Sequence, residues 1–237
     1  INEPWCISWL SHYWGEHAPG LKSLGATAKS MHNILLAHGK SIEVMRSLGQ
    51  KNLGIVLNKT HVQPVSQSEE NIIAANLYDD IHNLWFDEAI FKGRYPQKLL
   101  DIFEIHMPEN YQNDMGKISQ NLDWVGVNYY TRSIVKSDES EPNFKFNLVE
   151  GDLPKTDMGW EIFPKGLSNV LRRLNSGYSK NKPIHITESG MANSDRMIKN
   201  NVDDNERISF YSDHLKEIET LSREIPIKSY FAWSLLD

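Results

Sequence analysis

The chain has 237 residues, 40% hydrophobic and 24% charged, with a net charge of −6 at pH 7. That mild acidity, with no basic run, excludes a nucleic-acid binder, and no stretch approaches the ~20 consecutive apolar residues of a membrane-spanning helix. The single cysteine, Cys6, makes no internal disulfide.

In chain order, Ile1-Asn2-Glu3-Pro4 reads as a strand end carrying a carboxyl group, and Pro4 predicts an extended Glu3. Leu24, Ala28, Met31 and Leu35 share one helical face, on which His32 and His38 are expected to be satisfied by local hydrogen bonds. Leu53–Leu57 is a short apolar run without alternation, as in a buried parallel strand, and Asn58 follows at its expected end. A helix is expected from about Glu69 to Ala89, turning Ile73, Leu77, Ile81 and Leu84 inward. Trp124–Tyr130 is the second buried strand, and the irregular stretch from Thr131 to Gly159 is expected as a long loop. A helix carries Leu167, Val170, Leu171 and Leu174. The third strand, Ile184–Thr187, ends at Glu188, and Gly190 permits a sharp turn after it. Asp203 to Glu206 places acidic side chains at a helix start, and Ile208, Tyr211, Leu215 and Ile218 form that helix's apolar face. Ser229–Leu235 is the fourth strand.

Strands alternating with helices predict βαβ units in a parallel sheet. A carboxyl group where a buried strand opens into a loop is where barrel enzymes keep acids, bases and nucleophiles. Two of them on one face can cleave a glycosidic bond, one protonating the leaving oxygen and the other attacking the anomeric carbon or activating water. The seven tryptophans and nine tyrosines, several beside the glutamates, suit the C–H faces of sugars. His12, His17, His32, His38 and His61 show no metal-ligand spacing, so neither a metal nor a cofactor is expected.

The motifs carry a resemblance. Asn2-Glu3-Pro4, Ala18-Pro19-Gly20, His32 through His38-Gly39, Gly126 to Thr131, Met158-Gly159-Trp160-Glu161, Ile186 to Gly190 and Trp233 to Asp237 run in the order found in glycoside hydrolase family 1. The chain closely resembles those β-glucosidase-like retaining enzymes along nearly its whole length. The resemblance implies a (β/α)8 TIM barrel, of which residues 1–237 form about the second half, from the end of the fourth strand to the eighth, truncated at both ends. It implies Glu3 as general acid/base, Glu188 as nucleophile and Tyr130 as the donor that holds Glu188 ionised. Asn2 is implied on the sugar 2-hydroxyl, Asn128 lining the sugar site, Trp233 under the glycone ring and Trp160 on the aglycone side. Further glycone-binding residues are implied outside this chain.

Two positions depart from the family pattern: Ser189, where asparagine usually follows the nucleophile, and Ser229, where glycine is usual. The expected activity is retaining hydrolysis of β-O-glycosides, with glucosides first and galactosides or fucosides as further substrates. The alternatives are a 6-phospho-β-glycosidase and a non-catalytic sugar-binding relative. Expected partners are a β-glycoside or oligosaccharide substrate, with neither nucleic acid nor membrane; the sequence does not give the compartment, of which the cytoplasm is the favoured choice.

Overall fold

The computed structural model describes residues 1–235. A helical segment over 4–12, π-wound at Cys6–Leu10, leads to α1 (Leu24–Ser47), whose start is capped by Ser23 accepting from the Ala26 N–H. The chain continues through β1 (Gly54–Pro64), α2 (Glu69–Asp79), a π-helical turn at Asp80–Leu84 and α3 (Trp85–Lys92). The short α4 (Gln97–Phe103) and α5 (Met115–Ile118) precede β2 (Trp124–Ser137) and β3 (Phe146–Val149). Then come α6 (Pro164–Leu174), β4 (Ile184–Ser189), the small β5 (Met197–Ile198) and β6 (Asn201–Val202), α7 (Asn205–Leu221) and β7 (Ile227–Ala232).

The main sheet has the order β1-β2-β4-β7 with every neighbouring pair parallel, and β3 pairs antiparallel with the end of β2. The four expected strands are the parallel part of the sheet, the last running over Ile227–Ala232 rather than to Leu235, with helices packed against it in a partial α/β fold. Ile55, Leu57, Val125, Val127, Ile184 and Ile186 are buried along its length. Burying such side chains supplies roughly 1.5–3 kcal/mol each, which is why these short runs carry little polarity. Among the described residues no helix is long and apolar enough to cross a membrane.

Several expectations need correction. The strand expected to stop at Leu57 runs on to Pro64, so Asn58 lies within β1. The stretch from Thr131 is no simple loop, because β2 continues to Ser137 and folds back through β3. The helix expected over Glu69–Ala89 has its inward face at Ala74, Ala75, Tyr78, Ile81 and Trp85, while Ile73 is exposed. Ala74, Tyr78, Ile81 and Trp85 keep the helical spacing, so the inward stripe begins one position on from the expected Ile73 and Leu77, and both choices satisfy the period. In α7 the buried residues are Phe210, His214, Ile218 and Leu221, leaving Ile208 and Leu215 exposed. Two neighbouring stripes there both satisfy the helical period, and the one that stacks Phe210 on His214 at 4.0 Å faces inward. His32 and His38 do lie buried on α1, but the bonds of His32 are distant in sequence: Nδ1 meets the Tyr95 hydroxyl at 2.8 Å and Nε2 meets Asp114 at 3.4 Å.

At the β7 end the sheet has no further strand among the described residues, and Phe231, Trp233 and Leu235 are exposed there. An open edge beside exposed apolar side chains is a template for pairing with another chain. The 237-residue polypeptide expressed alone is therefore expected to self-associate. Light scattering on a size-exclusion column checks this, and a clean monomer contradicts it.

Candidate active site

Two bulges aim the site. Between β2 and β4 the pairing passes from Val127↔Ile186 to Asn128↔Glu188, so Thr187 is the extra residue on β4. In a regular strand Thr187 and Glu188 would point to opposite faces; the bulge lets both reach the same side. Thr187 Oγ1 donates to Asn128 Oδ1 at 2.6 Å, and Glu188 Oε2 accepts from the Tyr130 hydroxyl at 2.6 Å.

Glu3 arrives from the other end of the chain. Asn2 forms an isolated parallel bridge with Val56, and the Glu3 N–H donates to the Val56 carbonyl at 3.0 Å. Helix begins at Pro4, so one residue absorbs the whole turn, and Glu3 takes a φ of 46°. The extended Glu3 expected from Pro4 is thus corrected. Proline disfavours the right-handed helical region for its predecessor, and here the escape is the left-handed one, a strained conformation of the kind that concentrates at functional sites.

The carboxyl groups share a buried amide. Asn128 Nδ2 donates to Glu3 Oε1 at 2.8 Å and to Asn2 Oδ1 at 3.3 Å, and the same amide favours the charged form of the nearby Glu188 carboxyl. Asn128 is 0% exposed, so it sits beneath the glutamates rather than lining the cavity, as expected for a residue contacting sugar. Asn58, taken as a strand-end residue from sequence, donates its own amide to Glu3 Oε1 at 3.1 Å.

Burial pushes the Glu188 carboxyl above its ordinary value, and the nearby Glu3 charge adds to that. The hydrogen bonds from Tyr130, Asn128 and Asn2 oppose the rise without cancelling it. The Tyr130 hydrogen bond favours the charged form of Glu188, and burial outweighs it.

Asn2, Glu3, Tyr130, Glu188, Trp160 and Trp233 all face one cavity of about 1210 Å³. Trp160 lies beside the Tyr130 ring, with centroids 5.3 Å apart. Trp233 follows β7, and its N–H donates to the Ser189 carbonyl at 3.0 Å. Gly190 matters by close approach rather than by a special turn, since a Cβ there would lie 1.9 Å from the Trp233 carbonyl oxygen. Leu236 and Asp237 of the last motif lie outside the described residues. Trp9, Tyr13, Trp14, Phe144 and Phe146 form a further aromatic wall, missed from sequence because residues from two distant segments build it. Among the described residues no group of three or more His, Cys, Asp or Glu could hold a metal ion.

A partial parallel α/β sheet thus brings two carboxyl groups at its strand ends into one aromatic cavity. The model of glycosyl hydrolase family 1 matches residues 1–237, and the chain belongs to that family. It is 36% identical over 241 residues to beta-glucosidase A of Thermotoga maritima, covering 100% of this chain and 54% of that protein. A beta-glucosidase of Agrobacterium sp. is 37% identical over 244 residues, with 100% of this chain and 52% of that protein covered. A solved structure of the Thermotoga maritima family 1 glycoside hydrolase, complexed with a cyclophellitol analogue transition state mimic, superposes with a TM-score of 0.94 at 36% identity. That match covers 100% of this chain and 54% of the solved one. The chain therefore spans about half the length of the relatives it matches.

Removing the Tyr130 hydroxyl deletes a donor that stabilises the Glu188 carboxylate. Tyr130→Phe in the intact protein is expected to raise the Glu188 titration midpoint further, by roughly one pH unit for the loss of one charged hydrogen bond worth about 1.5 kcal/mol. Carbon-13 NMR of labelled glutamate reads this, and a lowered midpoint contradicts it.

Proposed function

We propose that the protein carrying this chain hydrolyses β-O-glycosidic bonds with retention of anomeric configuration. The observation that carries the reading is the meeting of Glu3 and Glu188, 185 residues apart in the sequence, in one aromatic cavity, with the buried Asn128 amide bonded to Glu3 beside them. Membership of the family supports it, as do the beta-glucosidases among the relatives and the inhibitor complex of the Thermotoga maritima enzyme.

In this reading Glu188 attacks the anomeric carbon while Glu3 delivers its proton to the departing glycosidic oxygen, breaking the C–O bond and leaving a glycosyl ester on Glu188. Water then attacks the same carbon, Glu3 takes a proton from it, and the ester is released as free sugar. Two inversions give net retention, which requires the carboxyl groups to lie roughly 5–5.5 Å apart rather than at the wider spacing of an inverting pair. Asn2, whose side chain reaches both Glu188 and Asn128, is placed to hold the sugar 2-hydroxyl. Trp233 serves as the platform under the glycone ring, and Trp160 stands on the aglycone side. The substrate is a β-glycoside or oligosaccharide, with β-glucosides the first choice.

Following the first-formed anomer by NMR tests the stereochemistry: β-glucose is expected, and initial α-glucose overturns the proposal. Paired glucoside and 6-phosphoglucoside substrates separate this activity from the phosphorylated branch, and the plain glucoside is expected to turn over faster.

The two glutamates are distinguished by their variants. Glu188→Ala is expected to lose covalent labelling by a 2-fluoro-glycoside and turnover of every substrate. Glu3→Ala is expected to lose about 10²–10⁴-fold in kcat/KM on poor leaving groups, the usual worth of a positioned proton donor, and far less on activated aryl glycosides. Equal losses on both substrate types contradict the role assignment.

A further inference from the structure

The side chains around Glu3 constrain which of its oxygens can carry the transferable proton. Asn128 and Asn58 both donate to the same oxygen, Oε1, at 2.8 and 3.1 Å. An oxygen occupied by two amide donors acts as the acceptor, which leaves the proton to Oε2. The arrangement holds only if both amides keep their NH2 groups turned toward Glu3.

The Asn128 amide is fixed by the Thr187 hydroxyl, which occupies its carbonyl end. The Asn58 amide depends on His82. His82 Nε2 lies 2.9 Å from Asn58 Oδ1, and the Tyr78 hydroxyl lies 3.3 Å from His82 Nδ1. One proton assignment satisfies all three contacts. Tyr78 O–H donates to Nδ1, Nε2–H donates to the Asn58 carbonyl, and the Asn58 amide donates to Glu3. Burial, with Lys59 and Arg173 nearby, holds the His82 pKa well below the usual imidazole value, so the neutral ring required by this assignment is the form present. The ring also packs on Trp5 at 4.0 Å, two residues beyond Glu3, so its plane is fixed from both sides of the relay.

We propose that His82 is a positioning residue for the general acid: its Nε2–H locks the Asn58 amide onto Glu3 Oε1 and thereby confines the transferable proton to Oε2. The proposal rests on the reading of Glu3 as the acid/base. Without His82, nothing at this contact opposes rotation of the Asn58 amide, and its carbonyl can then accept the Glu3 proton in place of the leaving oxygen. The loss falls on substrates that need that proton, whereas a merely structural histidine would affect all substrates alike.

The test uses the intact protein and aryl β-glucosides graded from 2,4-dinitrophenyl, which needs little protonation, to phenyl, which needs much. The readout is kcat/KM, which reports the bond-breaking step. His82→Leu is expected to lose about tenfold or more on phenyl glucoside, a fraction of the full worth of general acid catalysis, and about twofold on the dinitrophenyl compound. His82→Gln, whose amide restores an N–H donor toward Asn58, is expected to recover most of the loss. Asn58→Ala leaves the buried ring in place and is expected to show the same selective loss, with His82→Leu adding nothing further in that background. A uniform loss across the series overturns the proposal. So does a His82→Gln variant no better than His82→Leu, or a His82→Leu effect that persists in the Asn58→Ala background. A parent protein that neither turns over the dinitrophenyl glucoside nor is labelled at Glu188 overturns the glycosidase reading itself, and this proposal with it.

Discussion

A single buried amide organises the site. Asn128 accepts from Thr187 and donates to Glu3 and Asn2, so the segments that open and close the chain meet on one side chain. A primary amide has two donor hydrogens and one carbonyl, and here both ends are used in the fully buried state. Leaving any of these groups unpaired would cost roughly 1–3 kcal/mol, so the contacts that satisfy Asn128 also fix the glutamates it touches. The bulge at Thr187 is the backbone feature that permits this. Without the extra residue, Thr187 and Glu188 would face opposite sides of β4, and one of the two bonds would be lost.

The electrostatics follow from this shared floor. Two carboxyl groups held near one another in a partly buried cavity cannot both ionise freely, and Glu188 shows this in its upward shift. The thiol of Cys6 feels the same pair. Burial first, then the charge of Glu3 and a hydrogen bond to it, push the thiol well above its usual range, so the sulfur stays protonated and unreactive as a nucleophile. A neutral donor beside Glu3 fits the role of that carboxyl better than a second anion would.

The sequence made the sheet and the carboxyl pair legible because each signal was local. Ile184–Thr187 is apolar without alternation and ends in Glu188, and Asn2-Glu3-Pro4 stands in a recognisable motif. What stayed hidden depends on register or phase. The inward face of α2 could not be read because two neighbouring stripes, one through Ile73 and Leu77 and one through Ala74 and Tyr78, both satisfy the helical period, and only packing chooses the second. The burial of Asn128 was equally out of reach, since it depends on how β2 packs against its neighbours. Tyr78 and His82 gave no motif. Tyr78 meets His82, and His82 meets Asn58, 24 residues away, and no periodicity carries that information.

The buried segment from the π turn at Asp80–Leu84 into α3 grips the strand beneath it. β1 and β2 lose register between Lys59 and His61, where the bulge takes Thr60 out of the regular ladder. Asn83 meets Thr60 there, accepting from its N–H at 3.4 Å and donating to its carbonyl at 3.0 Å, in the manner of a missing strand neighbour. On one side of that contact His82 holds Asn58, and on the other the buried Lys59 ammonium bonds the Asn83 carbonyl and Asp87. Three successive residues of β1 are thus read by one segment of helix. A buried ion pair such as Lys59–Asp87 gives little net stability over an apolar pair of similar volume, but breaking one side of it is costly. Its effect is therefore to penalise any slippage of the helix along β1. Because Asn58 and Lys59 are adjacent on that strand, whatever fixes Lys59 also fixes the amide that touches Glu3. The outer layer of the fold and the chemistry at its centre share one register.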